Sequence, residues 1–220
     1  MHIPDGMVAP AVLAAGGALA LLGVGLAVRR VGRFVDEEQM PLIALLAAGI
    51  FASQLLNFPI IGGTTGHLVG AALAVILLGP ATSVVIFTVI LVIQGFLFGD
   101  GGVLALGLNI LNMGIVGSLV AWVSYRALRR RNETVAILVA SWASVFLAAI
   151  LAGVELGASY VLSDGSYGIP PLVAIPSMAL YHAFIGVGEA IITVGVLTYL
   201  HRVAPDVLAT KKIRFLGAPE

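Results

Sequence analysis

Long apolar runs recur along the chain, separated by short clusters of glycine, proline and polar residues. Read in windows of about 19 residues, they predict membrane-spanning helices at about 8–28, 41–58, 66–78, 81–98, 102–128, 134–162 and 177–200. The third run has only 13 residues before Gly79-Pro80. As a helix it reaches about 20 Å, short of a hydrocarbon core of about 30 Å. Its outer end therefore lies below the membrane surface. The segment leading into it, Gly62-Gly63-Thr64-Thr65-Gly66-His67, is flexible and polar. Irregular backbone at membrane depth is tolerated where it is buried in protein or lines a cavity. An outward-facing pocket with His67 at its floor is the expectation. No internal repeat is evident, which gives an inverted-repeat transporter no support.

Composition agrees with the pattern. The 220 residues are 60% hydrophobic and 10% charged, with a mean hydropathy of +1.11, whereas a soluble domain carries about 25% charge. The fold class expected is an all-α integral membrane protein of about seven helices. It forms one membrane domain over 1–220: an N-terminal segment (1–7), a bundle (about 8–200) and a cytoplasmic tail (201–220). Cysteine is absent, so disulfides, thiolate metal ligands and cysteine nucleophiles are excluded. Nothing points to a nucleic-acid partner; the lipid bilayer is the surrounding medium.

Charge is sorted along the chain. Arg29, Arg30 and Arg33, then Arg126, Arg129, Arg130 and Arg131, then Arg202, Lys211, Lys212 and Arg214 are all eleven basic residues, and they fall in alternate connections. The segments around Asp5, 57–65, 99–101 and 163–176 contain none. The positive-inside rule then places the N-terminus outside and the C-terminus inside, in agreement with an odd number of spans. Ala18-Leu19-Ala20 has the small residues of a cleavage site. However, no positive residue precedes the apolar run and three arginines follow it, the charge order of an N-out anchor.

The candidate chemistry starts at the N-terminus. In Met1-His2 a free α-amine, the His2 amide and the His2 imidazole offer three nitrogens to Ni²⁺, Cu²⁺ or Co²⁺, leaving one position for a partner. Pro4, Asp5-Gly6 and Pro10 give the segment turn and helix-start chemistry, as expected of an ordered tail. His67 lies on the same outer side and is a candidate for the fourth position; a buried histidine bonded to a carbonyl, Thr64 or Thr65 is the alternative.

Polar residues inside the spans supply the remaining candidates. His182 and Glu189, seven residues apart on one face of the last span, are expected to pair with each other, with a proton relay or a supporting network as the alternative. His201, beside Arg202 at the inner boundary, is assigned no role. Glu155 calls for a polar partner within the bundle. Asn109 and Asn112, near Gln94 of the preceding span, read as interhelical hydrogen-bond glue, with pocket lining as the alternative. Ala44, Ala48 and Ala52 line one face of the second span, suited to close helix approach either within the bundle or against a separate membrane protein. There is no P-loop motif, and the only lysines lie in the tail, so this chain cannot supply a P-loop for ATP. H-E-x-x-H is missing too, and no enzyme activity is expected.

Five segments together carry a family resemblance: Met1-His2-Ile3-Pro4-Asp5-Gly6, the stretch from Gly62 to Gly70, Leu77-Leu78-Gly79-Pro80, the stretch from Gln94 to Gly102, and Asn109-Ile110-Leu111-Asn112-Met113-Gly114. In order and spacing they resemble the CbiM/NikM family, the substrate-capturing S components of energy-coupling factor (ECF) transporters for cobalt and nickel. The resemblance implies a seven-helix S component in the cytoplasmic membrane of a prokaryote, whose extra first helix delivers the N-terminus into the bundle. It implies Ni²⁺ or Co²⁺ as transported substrate, held in a roughly planar set of four nitrogens from the Met1 amine, the His2 amide and imidazole, and His67. Asp5, Thr64, Thr65, Gln94, Asn109, His182 and Glu189 are candidates for the surrounding pocket. The implied partners are a transmembrane T subunit, two ATPase subunits and a small accessory membrane subunit, with Ala44, Ala48 and Ala52 as the face offered to the T subunit. Gly66-His67-Leu68 is closer to nickel members than to the His-Pro form of cobalt ones. The competing class is a proton-coupled secondary permease that uses His182 and Glu189 and needs no ATPase.

Overall fold

Prolines open the helices of this protein. A computed structural model describes residues 1–34 and 37–204. Pro10 starts α1 (Pro10–Phe34), Pro41 lies in the first turn of α2 (Met40–Gln54), Pro80 starts α4 (Pro80–Ile93) and Pro171 starts α8 (Pro171–Val203). A proline fits there because the N–H it lacks would have no partner in the helix. Gly79, at φ +87°, is the single residue between α3 (Ala71–Leu78) and α4. Asn132 caps α7 (Glu133–Leu162) by accepting the Val135 N–H at 3.0 Å.

Five helical stretches are long and apolar enough to cross a membrane: Pro10–Gly32, Pro80–Phe98, Leu106–Leu128, Glu133–Leu162 and Pro171–Val203. The second runs through a π turn, Gln94–Phe98. The third joins α5 (Leu106–Asn109), a π segment (Ile110–Val116) and α6 (Gly117–Leu128). Two of the expected spans are shorter than the hydropathy suggests. The run at 41–58 is helical only to Gln54, after which Phe58–Pro59 (β1) pairs antiparallel with Thr65–Gly66 (β2). In the run at 66–78 only Ala71–Leu78 is helical, about 12 Å long, because Gly70 takes φ +86° at its start. Hydropathy sees the apolar residues of both segments but not the backbone turn that interrupts them. The last helix starts earlier than 177, with Pro176 inside it.

Close helix contact rests on small residues. A β-carbon at Gly153 of α7 would lie 3.1 Å from Ile175 Cα, and one at Gly157 would lie 3.1 Å from Pro171 Cα, so α7 and α8 meet backbone to backbone. Glu155, between those glycines, accepts from Asn112 Nδ2 of the π segment at 2.6 Å. That is the polar partner its position called for.

The connections without lysine or arginine gather at one end. Asn57 Nδ2 donates to Asp100 Oδ2 at 2.8 Å, and Gly168 N donates to the Met7 carbonyl at 2.9 Å. The end of α1, the α6–α7 connection and the end of α8 carry the arginines. Lys211, Lys212 and Arg214, with most of the expected tail, lie outside the described residues.

The first three residues are tucked in among these connections, while Pro4, Asp5 and Gly6 turn back along the surface. Met1, His2 and Ile3 are at most 1% exposed. Asp5 accepts the N–H groups of Val103, Leu104 and Ala105 at 3.0, 2.8 and 3.1 Å. A β-carbon at Gly102 would lie 2.1 Å from Asp5 Oδ1, so only glycine permits this approach. Asn109 grips the Ile3 peptide from both sides: Oδ1 accepts its N–H at 2.8 Å and Nδ2 donates to its carbonyl at 3.1 Å. Asn109 therefore holds the terminus, not a neighbouring helix, and only Asn112 joins two helices. Replacing Asn109 by leucine leaves the Ile3 N–H buried without a partner, an effect of about 1–3 kcal/mol. The expected outcome is a lower unfolding temperature in detergent and faster removal of Met1 by an aminopeptidase.

Candidate metal centre

Thr65 receives the chain terminus. The Met1 amine donates to the Thr65 carbonyl and, at 3.1 Å, to Thr65 Oγ1, which also accepts the His2 N–H at 3.1 Å. Burial pushes the amine pKa down from 8.0 to about 4, against a smaller opposing pull from Asp100. The amine is therefore neutral at pH 7. A neutral amine has two N–H bonds and one lone pair. Both N–H bonds are engaged by Thr65, so the lone pair is the free valence.

The state of His2 is set by a relay of hydrogen bonds. The Val69 carbonyl can only accept, so it receives Gln54 Nε2 at 2.9 Å and turns Gln54 Oε1 toward Gln94. Gln94 Nε2 donates to that oxygen at 3.1 Å, which leaves Gln94 Oε1 facing His2 Nε2 at 3.1 Å. His2 must then carry its proton on Nε2, and Nδ1 is a bare lone pair. Nδ1 lies 3.3 Å from Asp100 Oδ1, a contact that would be an ion pair only if the ring were protonated. Burial pushes the His2 pKa down to about 3, with the nearby amine lowering it further against a smaller opposing effect of the Gln94 hydrogen bond. The relay independently removes the proton from Nδ1. Burial also raises the Asp100 carboxyl.

His67 presents the complementary atom. Its Nδ1 donates to the Leu68 carbonyl at 2.8 Å, so Nε2 holds the lone pair. The two imidazoles stack with centroids 4.5 Å apart and planes at 21°. His2 Nδ1 and His67 Nε2 are both buried without a hydrogen-bond partner.

The loop that carries His67 is clamped from α8. Glu189 accepts the N–H groups of Val69 and Gly70 at 2.5 and 2.9 Å, at the entrance to α3. His182 Nδ1 donates to the Met178 carbonyl at 2.9 Å. The expected His182–Glu189 pair is therefore not formed, because each side chain finds a nearer backbone group while the other lies two turns away. Thr64 Oγ1 donates to Met178 Sδ at 3.8 Å and so fastens the same loop one step earlier.

The structure thus brings Met1, His2, Thr65, His67 and Gln94 together. Asp5 and Asn109 anchor the terminus nearby, and Thr64 and Glu189 hold the loop from behind. Ala44, Ala48 and Ala52 are exposed on the outer face of α2, so they do not serve internal packing. Gln54 and Asp100 were not singled out from sequence. Gln54 carried a usable signal, as a lone amide at the end of an apolar span; Asp100, in a glycine-rich turn, carried none. Among the described residues no three His, Asp or Glu side chains form a metal-binding group. A site here has two imidazoles and must complete its donor set with main-chain nitrogen.

The model of the family CbiM, the cobalt uptake substrate-specific transmembrane region, matches residues 2–207. The fused nickel transport protein NikMN of Rhodobacter capsulatus is 39% identical over 233 residues, covering 100% of this chain and 67% of that protein. The cobalt transport protein CbiM of Geobacter sulfurreducens is 33% identical over 230 residues, covering 100% of this chain and 64% of that protein. A solved structure described as a truncated transition metal transporter is similar at a TM-score of 0.88 and 34% identity, over 92% of this chain and 99% of that one. With nearly its whole length matched and its helices following those of a metal transporter, this multi-pass membrane protein belongs to the CbiM family.

Proposed function

We propose that this chain is the ion-capturing S component of an ECF-type importer for Ni²⁺, and also for Co²⁺, in the cytoplasmic membrane of a prokaryote. The ion is held by the Met1 amine, the His2 amide nitrogen, His2 Nδ1 and His67 Nε2. One observation carries this reading: three lone pairs with nothing else to bind, on the terminal amine and two buried imidazoles, converge beside a main-chain N–H. Amine, amide and Nδ1 of one dipeptide close two chelate rings, and His67 supplies the fourth position.

The donor set also selects the cargo. Mg²⁺ and Ca²⁺ require six or more oxygens and Zn²⁺ prefers a tetrahedron, whereas planar nitrogen sets suit Ni²⁺. Loss of the His2 amide proton leaves one net positive charge on the bound dication, which eases its burial. The Asp100 carboxylate, 3.3 Å from Nδ1, faces that remaining charge. As the ion enters, the amide gives up its bond to Thr65 Oγ1 and its proton passes to water.

Energy comes from elsewhere. With no P-loop in its sequence, the chain works with a T subunit and two ATPase subunits, and a small accessory membrane subunit completes the assembly in this reading. The outward Ala44, Ala48 and Ala52 face supports docking of a T-subunit helix. The permease reading receives less support, because His182 and Glu189 are bonded to backbone groups and not to each other. The orientation that fits is N-terminus out, with the site at the outer end of seven helices.

Extending the N-terminus by a few residues converts the amine to an amide and is expected to abolish Ni²⁺ binding without unfolding the protein. His67→Ala is expected to lower Ni²⁺ affinity at least about a hundredfold, and His182→Ala far less. Titration calorimetry of the purified variants checks both; undiminished affinity in the extended protein overturns the four-nitrogen site.

The depressed amine pKa sets the proton count. In the folded protein the amine is already neutral at pH 7, so capture releases about one proton, from the amide. A free peptide with the sequence of residues 1–6 keeps its amine near the ordinary 8.0, is mostly protonated at pH 7 and releases about two. Calorimetry in buffers of different ionisation enthalpy measures the difference. In proteoliposomes the chain alone is expected to bind Ni²⁺ yet accumulate little, with uptake appearing only when the partner subunits and ATP are added. Proton-driven accumulation by the lone chain would establish the permease instead.

A further inference from the structure

The nitrogen donors are sealed from water: Met1 is 0%, His2 1% and His67 2% exposed. An ion from solution must pass some group that reaches both water and a donor, and Asp100 does. Its side chain is 15% exposed, yet its Oδ1 lies 3.3 Å from His2 Nδ1, which has no hydrogen-bond partner.

The position of Asp100 follows from the turn after the Gln94–Phe98 π segment. Gly99 and Gly101, at φ +66° and +92°, reverse the chain there. The turn lies directly against the terminus: Gly102 N donates to the Ile3 carbonyl at 2.8 Å, and a β-carbon at Gly101 would lie 3.4 Å from His2 Cδ2. On its other side Asp100 Oδ2 accepts from Asn57 Nδ2 at 2.8 Å, and Asn57 belongs to the connection that leads to Thr65 and His67. That bond is exposed to solvent, so water competes for both partners and the bond opens readily. Asp5, against the same turn, is no rival for an ion, because it already accepts three N–H groups.

We propose that Asp100 is the entry ligand of the capture site: a hydrated Ni²⁺ first binds its carboxylate in place of the Asn57 amide, then passes inward to His2 Nδ1 and the other nitrogens. This role rests on the proposed four-nitrogen site. The step is a ligand exchange, in which waters of hydration leave the ion and no electron is transferred. Its direction comes from the donors. Carboxylate oxygen suits ions such as Mg²⁺ and Ca²⁺ whereas imidazole suits Ni²⁺, so the ion is held more weakly at Asp100 than at its destination. Negative charge at the point of entry also draws a dication in, an effect on the rate of arrival that salt screens.

The test is stopped-flow absorbance of Ni²⁺ binding to the full chain with its natural N-terminus, in detergent. Asp100→Asn keeps the shape of the side chain and removes its charge. The association rate of this variant is expected to fall at least about tenfold at low salt and to lose most of its dependence on ionic strength. Asp100→Glu, which restores a carboxylate, is expected to recover most of the rate. Asn57→Ala, at an exposed position, frees the carboxylate and is expected to raise the association and dissociation rates together, several-fold each. If Asp100→Asn binds as fast as the unmodified protein and differs only in faster dissociation, Asp100 merely offsets the charge of the bound ion and the proposal is overturned. Should Asp100→Asn fail to fold, unchanged rates in Asn57→Ala overturn it instead. The N-terminally extended protein separates the two readings. If extension abolishes Ni²⁺ binding and only the Asp100 and Asn57 rates fail to change, the four-nitrogen site stands with another way in; if the extended protein still binds, the four-nitrogen site itself has failed.

Discussion

Everything at the end of the molecule that carries His67 depends on burying the chain's own N-terminus. An amine in water is a cation, and a cation inside a helical bundle carries a large desolvation penalty. At Met1 the balance falls on the side of neutrality, and the consequence is chemical: the group becomes a base with a free lone pair instead of a charge seeking a counter-ion. The anchoring contacts are what hold it there. Asp5 takes three consecutive N–H groups, Asn109 takes both sides of the Ile3 peptide, and Gly102 leaves room for the approach.

The second constraint is directional. An imidazole has two nitrogens, and a metal site needs the correct one bare. Here the choice is made at a distance, by carbonyl oxygens that can only accept. The Val69 carbonyl acts on His2 through two glutamines, and the Leu68 carbonyl acts directly on His67. The same four-residue stretch that carries His67 therefore also sets the tautomer of His2. Glu189 holds that stretch by two backbone N–H groups where a regular helix would have begun. The shortness of α3 is the condition that leaves the segment before it free to form the loop that carries His67.

The sequence by itself determined the class of molecule, the apolar runs and the sorting of arginines, because hydropathy and charge act additively along a chain and need no partners to be counted. It also determined the donors at Met1, His2 and His67 as candidates, since a terminal dipeptide brings its own chelate geometry and a histidine in a polar, glycine-rich loop at membrane depth stands out. Tertiary structure decided whatever depended on a second element. His182 and Glu189 share a helix face in sequence, yet each bonds a backbone group that only the folded loop supplies. Asn109 and Asn112, three residues apart, serve the terminus and Glu155 respectively. Gln54 and Asp100 enter the site only when α2 and the turn after the Gln94 π segment are brought beside the terminus. A hydrogen bond is short-ranged and directional, so which of two lone pairs stays bare is settled by the neighbour that folding delivers.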